Sequence, residues 1–470
     1  MTIKSVDTLF KHVAGAAIVS GNDVLIVDEA KLPRAMDGLV ETAVFGEGLV
    51  RDTARWLIWE LAQGVGIHPS SIHELYTAIG RGDVPANFTV PAINIRAINY
   101  DTARAVFRAA NKTDAGAILF EISRGEMAYT FQRPSEYASC VLAAALKEGY
   151  RGPVFIQGDH FQISASRYRQ NPAKEVQAVK DLMLEAVEAG YYNIDIDPST
   201  LVDLSFPTLD EQQTENYTLC ASLTAFARSI EPEGVTLSLG GEIGEVGHKN
   251  STVEELDAFM QGYLRKLPDG MDGISKISVQ TGTSHGGVVL PDGTLADVKV
   301  DFKTLRDLSS VAREQYGMGG AVQHGASTLP AGVFGKFPEV GTLEIHLAAN
   351  FMNIVYDRLP QELVDKAYTF LEENHSDEWQ EGQTREQFVY QTRKKAIGQF
   401  KAEWWGLPEE KKEEIAAALQ NQFEFLFNHL NVGGTREIVK SVTTMVEVRK
   451  ERPLFATVEA ATEDVSDLDD

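Results

Sequence analysis

From residue 90 onward, short apolar runs bounded by turn residues alternate with stretches of helical period, and this alternation limits the possible folds more than any other feature. Strand-like runs fall at Val90–Ile98, Ala117–Ile122, Val154–Gln157, Asn193–Ile196, Val235–Leu239, Ile274–Val279, Gly320–Gln323 and Phe351–Tyr356. Between them lie helix-like stretches at Tyr100–Asn111, Ser135–Glu148, Pro172–Ala189, Leu209–Ile230, Val253–Leu267, Phe302–Tyr316 and Thr342–Ala349. Eight strands over about 265 residues fit an α/β fold of the (β/α)8 TIM-barrel class. An open doubly wound sheet is the alternative, but no G-x-G-x-x-G follows an early strand to support a dinucleotide-binding version.

Three histidines fall close past strand-like runs. The third run leads into Gly158-Asp159-His160, the sixth into Gly282-Thr283-Ser284-His285-Gly286-Gly287, and the seventh into His324-Gly325-Ala326-Ser327. In a parallel barrel the C-terminal rim of the strands is where chemistry collects. An isolated Asp-His pair is more often a satisfied structural contact, but the recurrence at three strand ends favours function. Three neutral imidazoles with one open position make a catalytic metal site of the zinc type. No HExxH or CxxC offers a competing site. His346, read as lying on the helix before the eighth strand, is expected to be structural; His248, in a Gly-rich loop, is a weaker ligand candidate. The glycines beside His285 and His324 leave backbone N–H groups open to an anion, although tight βα corners need glycine too.

Composition narrows the setting. The chain has 470 residues, 43 basic against 68 acidic. A basic nucleic-acid footprint is therefore not expected. An anionic substrate would need local N–H groups, a metal or a few Lys and Arg. Cys140 and Cys220 are too few for a disulfide framework, which suggests a reducing, cytoplasmic setting. No signal-peptide pattern or membrane-length apolar run is present. Residues 1–69 read as an N-terminal extension, 70–358 as the barrel, 359–458 as a helical extension and 459–470 as an acidic, disordered tail. Ser71 and Glu74 suggest a capping box opening a helix that could plug the bottom of the barrel.

Pro91-Ala92-Ile93-Asn94, Gly158-Asp159-His160, Gly241-Glu242-Ile243-Gly244, Ser284-His285-Gly286, His324-Gly325-Ala326-Ser327 and Met352-Asn353-Ile354 resemble, in this order, the motifs of the class II, metal-dependent fructose-bisphosphate aldolase family. The resemblance implies a TIM barrel holding a divalent ion, Zn²⁺ or a similar metal. It implies reversible cleavage of a ketose bisphosphate, fructose 1,6-bisphosphate first, into dihydroxyacetone phosphate and glyceraldehyde 3-phosphate through a metal-stabilised enediolate, as in glycolysis. Carried over by position, His160, His285 and His324 would bind the metal. Asp159 would be the acid/base, Glu242 a carboxylate near the metal, and Asn353 a hydrogen-bond donor to the enediolate. Asn94, Ser123, Gly286, Gly325 and Ser327 would hold substrate or its phosphate. The partners implied are a small sugar phosphate and further copies of the chain in a homo-oligomer.

The sequence departs from the family pattern in places. The family's loop acid, eight residues after the Glu242 position, is Asn250 here, so either Glu245, Glu254 or Glu255 carries that proton or proton transfer at the dihydroxyacetone carbon differs. A capping box is the competing role for Glu254 and Glu255. Val355, Val289 and Ala326 replace other family residues. These changes leave open another ketose phosphate, such as tagatose 1,6-bisphosphate or a sulfo-sugar phosphate, and a non-catalytic barrel subunit. A Schiff-base mechanism would fall to Lys276, which reads better as an internal barrel residue.

Overall fold

The computed structural model describes residues 2–244, 249–282, 290, 300–457 and 468. Eight parallel strands form a closed barrel: β1 Val90–Asn94, β2 Leu119–Ser123, β3 Gly152–Gln162, β4 Asn193–Asp197, β5 Ser238–Glu242, β6 Lys276–Val279, β7 Ala321–Gln323 and β8 Glu344–Leu347. Each pairs with the next, and β8 returns to β1 in the register Glu344↔Val90 to Leu347↔Ile93. Helices surround the strands, as the (β/α)8 reading requires. With both faces of the sheet covered, the strands show up in sequence as nearly continuous apolar runs.

Seven strands fall where the sequence places them, and the eighth does not. Thr342–Ala349, expected as a helix, contains β8, while Phe351–Tyr356, expected as the strand, lies in the helix Ala349–Tyr356. The reason is local. Leu343, Ile345 and Leu347 alternate with Glu344 and His346, the period-two signature of a strand. In the following segment Phe351, Met352, Val355 and Tyr356 are buried at helical spacing, so its β-branched and aromatic residues mislead.

The longest strand, β3, is irregular at a telling place. Its pairing with β4 runs Gln157↔Asn193 and Gly158↔Ile194, then resumes at Phe161↔Ile196. Asp159 and His160 together oppose the single residue Asp195, which is a β-bulge. His160 takes up the distortion with φ of 38°, a left-handed conformation uncommon for a non-glycine residue. An added Cβ on Gly158 would lie 2.3 Å from the Phe161 ring, so only glycine fits beneath the bulge.

The helix His73–Arg81 closes the N-terminal end of the barrel. Its Tyr76 hydroxyl donates to Glu344, and Gly80 lies so near the backbone before β7 that an added Cβ would sit 2.4 Å from the Gly317 carbonyl oxygen. The expected capping box is not formed: Ile72 is the N-cap, and Glu74 accepts from the Thr444 hydroxyl at 2.8 Å. Within the barrel, Lys276 is buried against Asp195 (2.9 Å), Glu344 (2.6 Å) and Gln157 (2.7 Å), the internal position expected for it.

The extensions wrap this barrel. Helix Glu409–His429 packs on helix Asn99–Thr113 and is tied to it by Arg108–Glu413 and Lys112–Glu424 pairs. Beyond helix Arg436–Val442 the chain has no regular secondary structure through residue 452, although 359–458 reads in sequence as helical; Trp56 and Trp59 donate to its Lys450 and Val448 carbonyls at 2.9 and 2.7 Å. The main buried apolar core runs from Leu9 to Val439, and a smaller cluster of Ala367, Leu371, Phe388, Val389 and Ala396 lies within the C-terminal extension. Apart from residue 468, the acidic tail lies outside the described residues. No helix among the described residues is long and apolar enough to cross a membrane.

Candidate active site

At the C-terminal mouth of the barrel is a cavity of about 330 Å³. Asp159 and His160 from β3, His324 just past β7, and His346 from β8 line it together. The bulge explains how two consecutive strand residues reach one cavity: the extra residue breaks the alternation that would send neighbours to opposite faces.

The three imidazoles share one design. His160 Nδ1 lies 3.1 Å from Asp197 Oδ2 and 3.3 Å from Glu242 Oε2, while its Nε2 is 3.1 Å from His324 Nδ1. His324 Nε2 is 3.0 Å from the Ser278 hydroxyl. His346 Nε2 is 2.7 Å from Glu344 Oε1. Each ring thus has one nitrogen braced by a protein oxygen. A metal-binding imidazole is commonly held this way, because the brace fixes the ring and its tautomer. Asp159, His324 and His346 have donor atoms all within 4.8 Å of one another, and so do His160, Glu242 and His324. The donor set fits a divalent ion.

Charge around the rings points the same way. Burial opposes a proton on His160 and on His346, yet Asp159 and Glu242 beside the first, and Glu121 and Asp159 beside the second, hold both well above the ordinary imidazole range. Burial would raise the Asp159 carboxyl, but His160 and His346 hold it well below its usual value. Burial, followed by the Asp197 charge, pushes Glu242 up to about 7. Burial also opposes the charge on Glu344, but Lys276 and His346 bring it down to about 2. So many carboxylates around three imidazoles favour positive charge at the mouth, carried by protons or by a metal ion.

The remaining sequence candidates separate. Gly325, with φ of 69°, and Ser327 line the cavity beside the metal candidates. Asn94 also lines it and donates to Glu126 at 2.6 Å. Ser123 caps helix Arg124–Tyr129 in a capping box with Glu126. Glu242, at the end of β5, stands behind His160. Asn353 is on the helix after β8 and is engaged by Arg393 and Tyr390 of the C-terminal extension. Glu255 completes a capping box with Thr252, and Glu254 is exposed on the same first turn. Asn250 donates to Asp301. His285, Gly286, Glu245 and His248 lie outside the described residues.

Several cavity residues were not anticipated. His346 was assigned to a helix, although the alternation in Leu343–Leu347 could have revealed it. Glu121, a lone carboxylate inside an apolar strand run, was a readable signal. Arg96, Tyr390, Gln391 and Lys394 also line the cavity, the last three from the C-terminal extension. Nothing in local sequence ties those three to the barrel mouth.

The family model for class-II fructose-bisphosphate aldolase matches residues 84–404. The chain belongs to that family. A comparison with curated proteins gave no match. Among solved structures, this aldolase-family chain is similar to a probable tagatose 6 phosphate kinase from Sinorhizobium meliloti 1021, with 15% identity and a TM-score of 0.55, covering 73% of this chain and 100% of the other. It is also similar to the fructuronate-tagaturonate epimerase UxaE from Cohnella laeviribosi, with 11% identity and a TM-score of 0.53, covering 91% of each chain. At these identities the likeness concerns the aldolase-type barrel fold alone.

Proposed function

We propose that this chain is a metal-dependent aldolase that cleaves a ketose bisphosphate, fructose 1,6-bisphosphate first among candidates, reversibly into dihydroxyacetone phosphate and glyceraldehyde 3-phosphate. The observation that carries this reading is the position of Asp159, held anionic at the barrel mouth between His160 and His346. A divalent ion such as zinc, held by His160 and His324 with His285 as the third family ligand, supplies Lewis-acid polarisation of the ketose oxygens when bound.

The chain's own residues perform the remaining steps. Asp159 accepts the proton of the C4 hydroxyl as the C3–C4 bond breaks and its electron pair moves toward the C2 carbonyl. In the reverse direction the same carboxyl returns the proton to the aldehyde oxygen. Glu242 braces His160 from behind. Gly325, Ser327 and the cations Arg96 and Lys394 serve the anionic ends of the substrate. The chain works as a cytoplasmic homo-oligomer. Tagatose 1,6-bisphosphate and other ketose phosphates would be cleaved by the same steps.

The test is a panel of ketose phosphates given to purified protein, with and without chelator, coupled to detection of dihydroxyacetone phosphate. Release from fructose 1,6-bisphosphate in metal-loaded protein supports the reading. Release from another ketose phosphate alone moves the substrate but keeps the chemistry, and no release from any of them contradicts it.

A further inference from the structure

Two buried polar atoms at the mouth face each other without a bond. Asp159 Oδ1 and His346 Nδ1 are 3.2 Å apart, with Glu121 Oε2 3.1 Å from the same nitrogen, and neither atom has hydrogen-bond geometry with a described partner. Both side chains are over nine-tenths buried. A buried polar atom left without a hydrogen bond is costly, so two in contact call for a group between or beside them. The other ring nitrogen of His346 is accounted for: the Glu344 carboxylate, itself paired with Lys276, is an acceptor, so Nε2 carries the proton and donates. Nδ1 is therefore the nitrogen turned to the cavity and its carboxylates, and it would offer its lone pair once an ion takes the place of a proton there.

His160 is braced through Nδ1 by Asp197 and His324 through Nε2 by Ser278, which turns His160 Nε2 and His324 Nδ1 toward each other at 3.1 Å. Atoms bound to one ion at 2.0–2.1 Å lie about 2.9 Å apart at a right angle and about 3.4 Å apart at the tetrahedral angle. Both close pairs fall in that window. The ring centroids of His324 and His346 are 4.1 Å apart, and those of His160 and His324 are 4.4 Å apart.

We propose that His346 is a metal ligand of this chain, binding a divalent transition-metal ion through Nδ1 together with His324, with Asp159 alongside. This assigns a ligand to β8, a strand for which the motif resemblance gives none. It also gives Glu344, Lys276 and Tyr76 a purpose: they position the His346 ring from below. The proposal rests on the reading of the mouth as a metal site but not on the reaction performed there.

The test measures binding. Full-length protein freed of metal by chelator is titrated with zinc against a competing chelating indicator, and its cobalt derivative is examined by visible absorption. His346→Asn should weaken zinc binding at least about 100-fold, as should His324→Ala, and should change the cobalt spectrum. Glu344→Gln, which loosens the brace, should weaken zinc binding by about 10-fold. Zinc affinity within about twofold of wild type and an unchanged cobalt spectrum in His346→Asn would overturn the proposal, as would a wild-type protein that binds no zinc. Should the variants not fold, anomalous diffraction from zinc-soaked wild-type crystals decides. An ion within about 2.1 Å of His346 Nδ1 supports the assignment, and an ion bound elsewhere overturns it. Zinc bound through His346 in a protein that cleaves no ketose phosphate would remove the aldolase reading and leave this one standing.

Discussion

Asp159 Oδ1 lies 3.2 Å from His346 Nδ1, although their strands, β3 and β8, are separated around the barrel by β1 and β2. The contact depends on the bulge that turns both Asp159 and His160 toward the mouth. It places the proposed acid/base against the ring from β8 and leaves it ionised and ready to take a proton.

Asp159→Ala should therefore separate chemistry from metal binding. Three imidazoles remain, so zinc content should hold, while the turnover number falls by roughly 10²–10⁴. Steady-state kinetics alongside metal analysis gives both numbers. Near-normal cleavage would move the proton role to another residue, with Glu121 the nearest alternative.

Lys394 brings a positive charge from the C-terminal extension to the cavity. Losing a charge-assisted hydrogen bond to a phosphate costs about 1.5–3 kcal/mol. Lys394→Ala should raise KM for a bisphosphate by about 10-fold or more with little change in kcat, and Lys394→Arg should retain most of the affinity. Equal KM values for all three proteins would detach the extension from substrate binding.

Lys276 offsets two buried carboxylates, Asp195 and Glu344. Lys276→Met leaves them without their cation, at a cost of about 3–5 kcal/mol. Denaturant titration should show that loss. The ammonium is enclosed by these partners, so borohydride added with substrate should leave no adduct on the wild-type protein. A trapped adduct on Lys276 would instead support Schiff-base chemistry.

His73, at the start of the helix that plugs the barrel, is held down to about 4 by burial and by the nearby Arg228 charge. The sign follows from proton counting. Between about pH 6.5 and pH 4 the unfolded chain takes up a proton at this residue and the folded chain does not. Its contribution is thus fully present above pH 6.5 and declines as pH falls toward 4, by on the order of 1–3 kcal/mol. His73→Asn should flatten that part of the stability profile. An unchanged slope would mean that other groups set it.

The parts of this protein legible in sequence are those fixed by short-range pattern. Buried parallel strands announce themselves as apolar runs, so seven barrel strands and the ends carrying Asp159, His160 and His324 could be read directly. The eighth strand failed because Phe351–Tyr356 has strand composition but packs as a helix, and that exchange hid His346 and gave Asn353 a place at the mouth. In the structure Asn353 instead meets Arg393, whose guanidinium lies 4.1 Å over the Tyr390 ring, so it helps to hold the extension over the barrel. The bulge was also hidden, since Gly158 reads equally well as a turn. Lys394 and Tyr390 reach the cavity by long-range folding of the extension, for which residue spacing gives no sign. Glu255 shows the opposite case: its capping-box role was visible in Thr252 and the three-residue spacing, and the carboxylate accepts from the Thr252 N–H at 2.8 Å.

The most direct test of the account is the release of dihydroxyacetone phosphate from fructose 1,6-bisphosphate by one preparation of the full chain, assayed as purified, after chelator treatment and after zinc is restored. The account predicts cleavage, its loss with the metal, and its return with zinc. Full cleavage in excess chelator, or none in zinc-loaded protein with this or any other ketose phosphate, would contradict it.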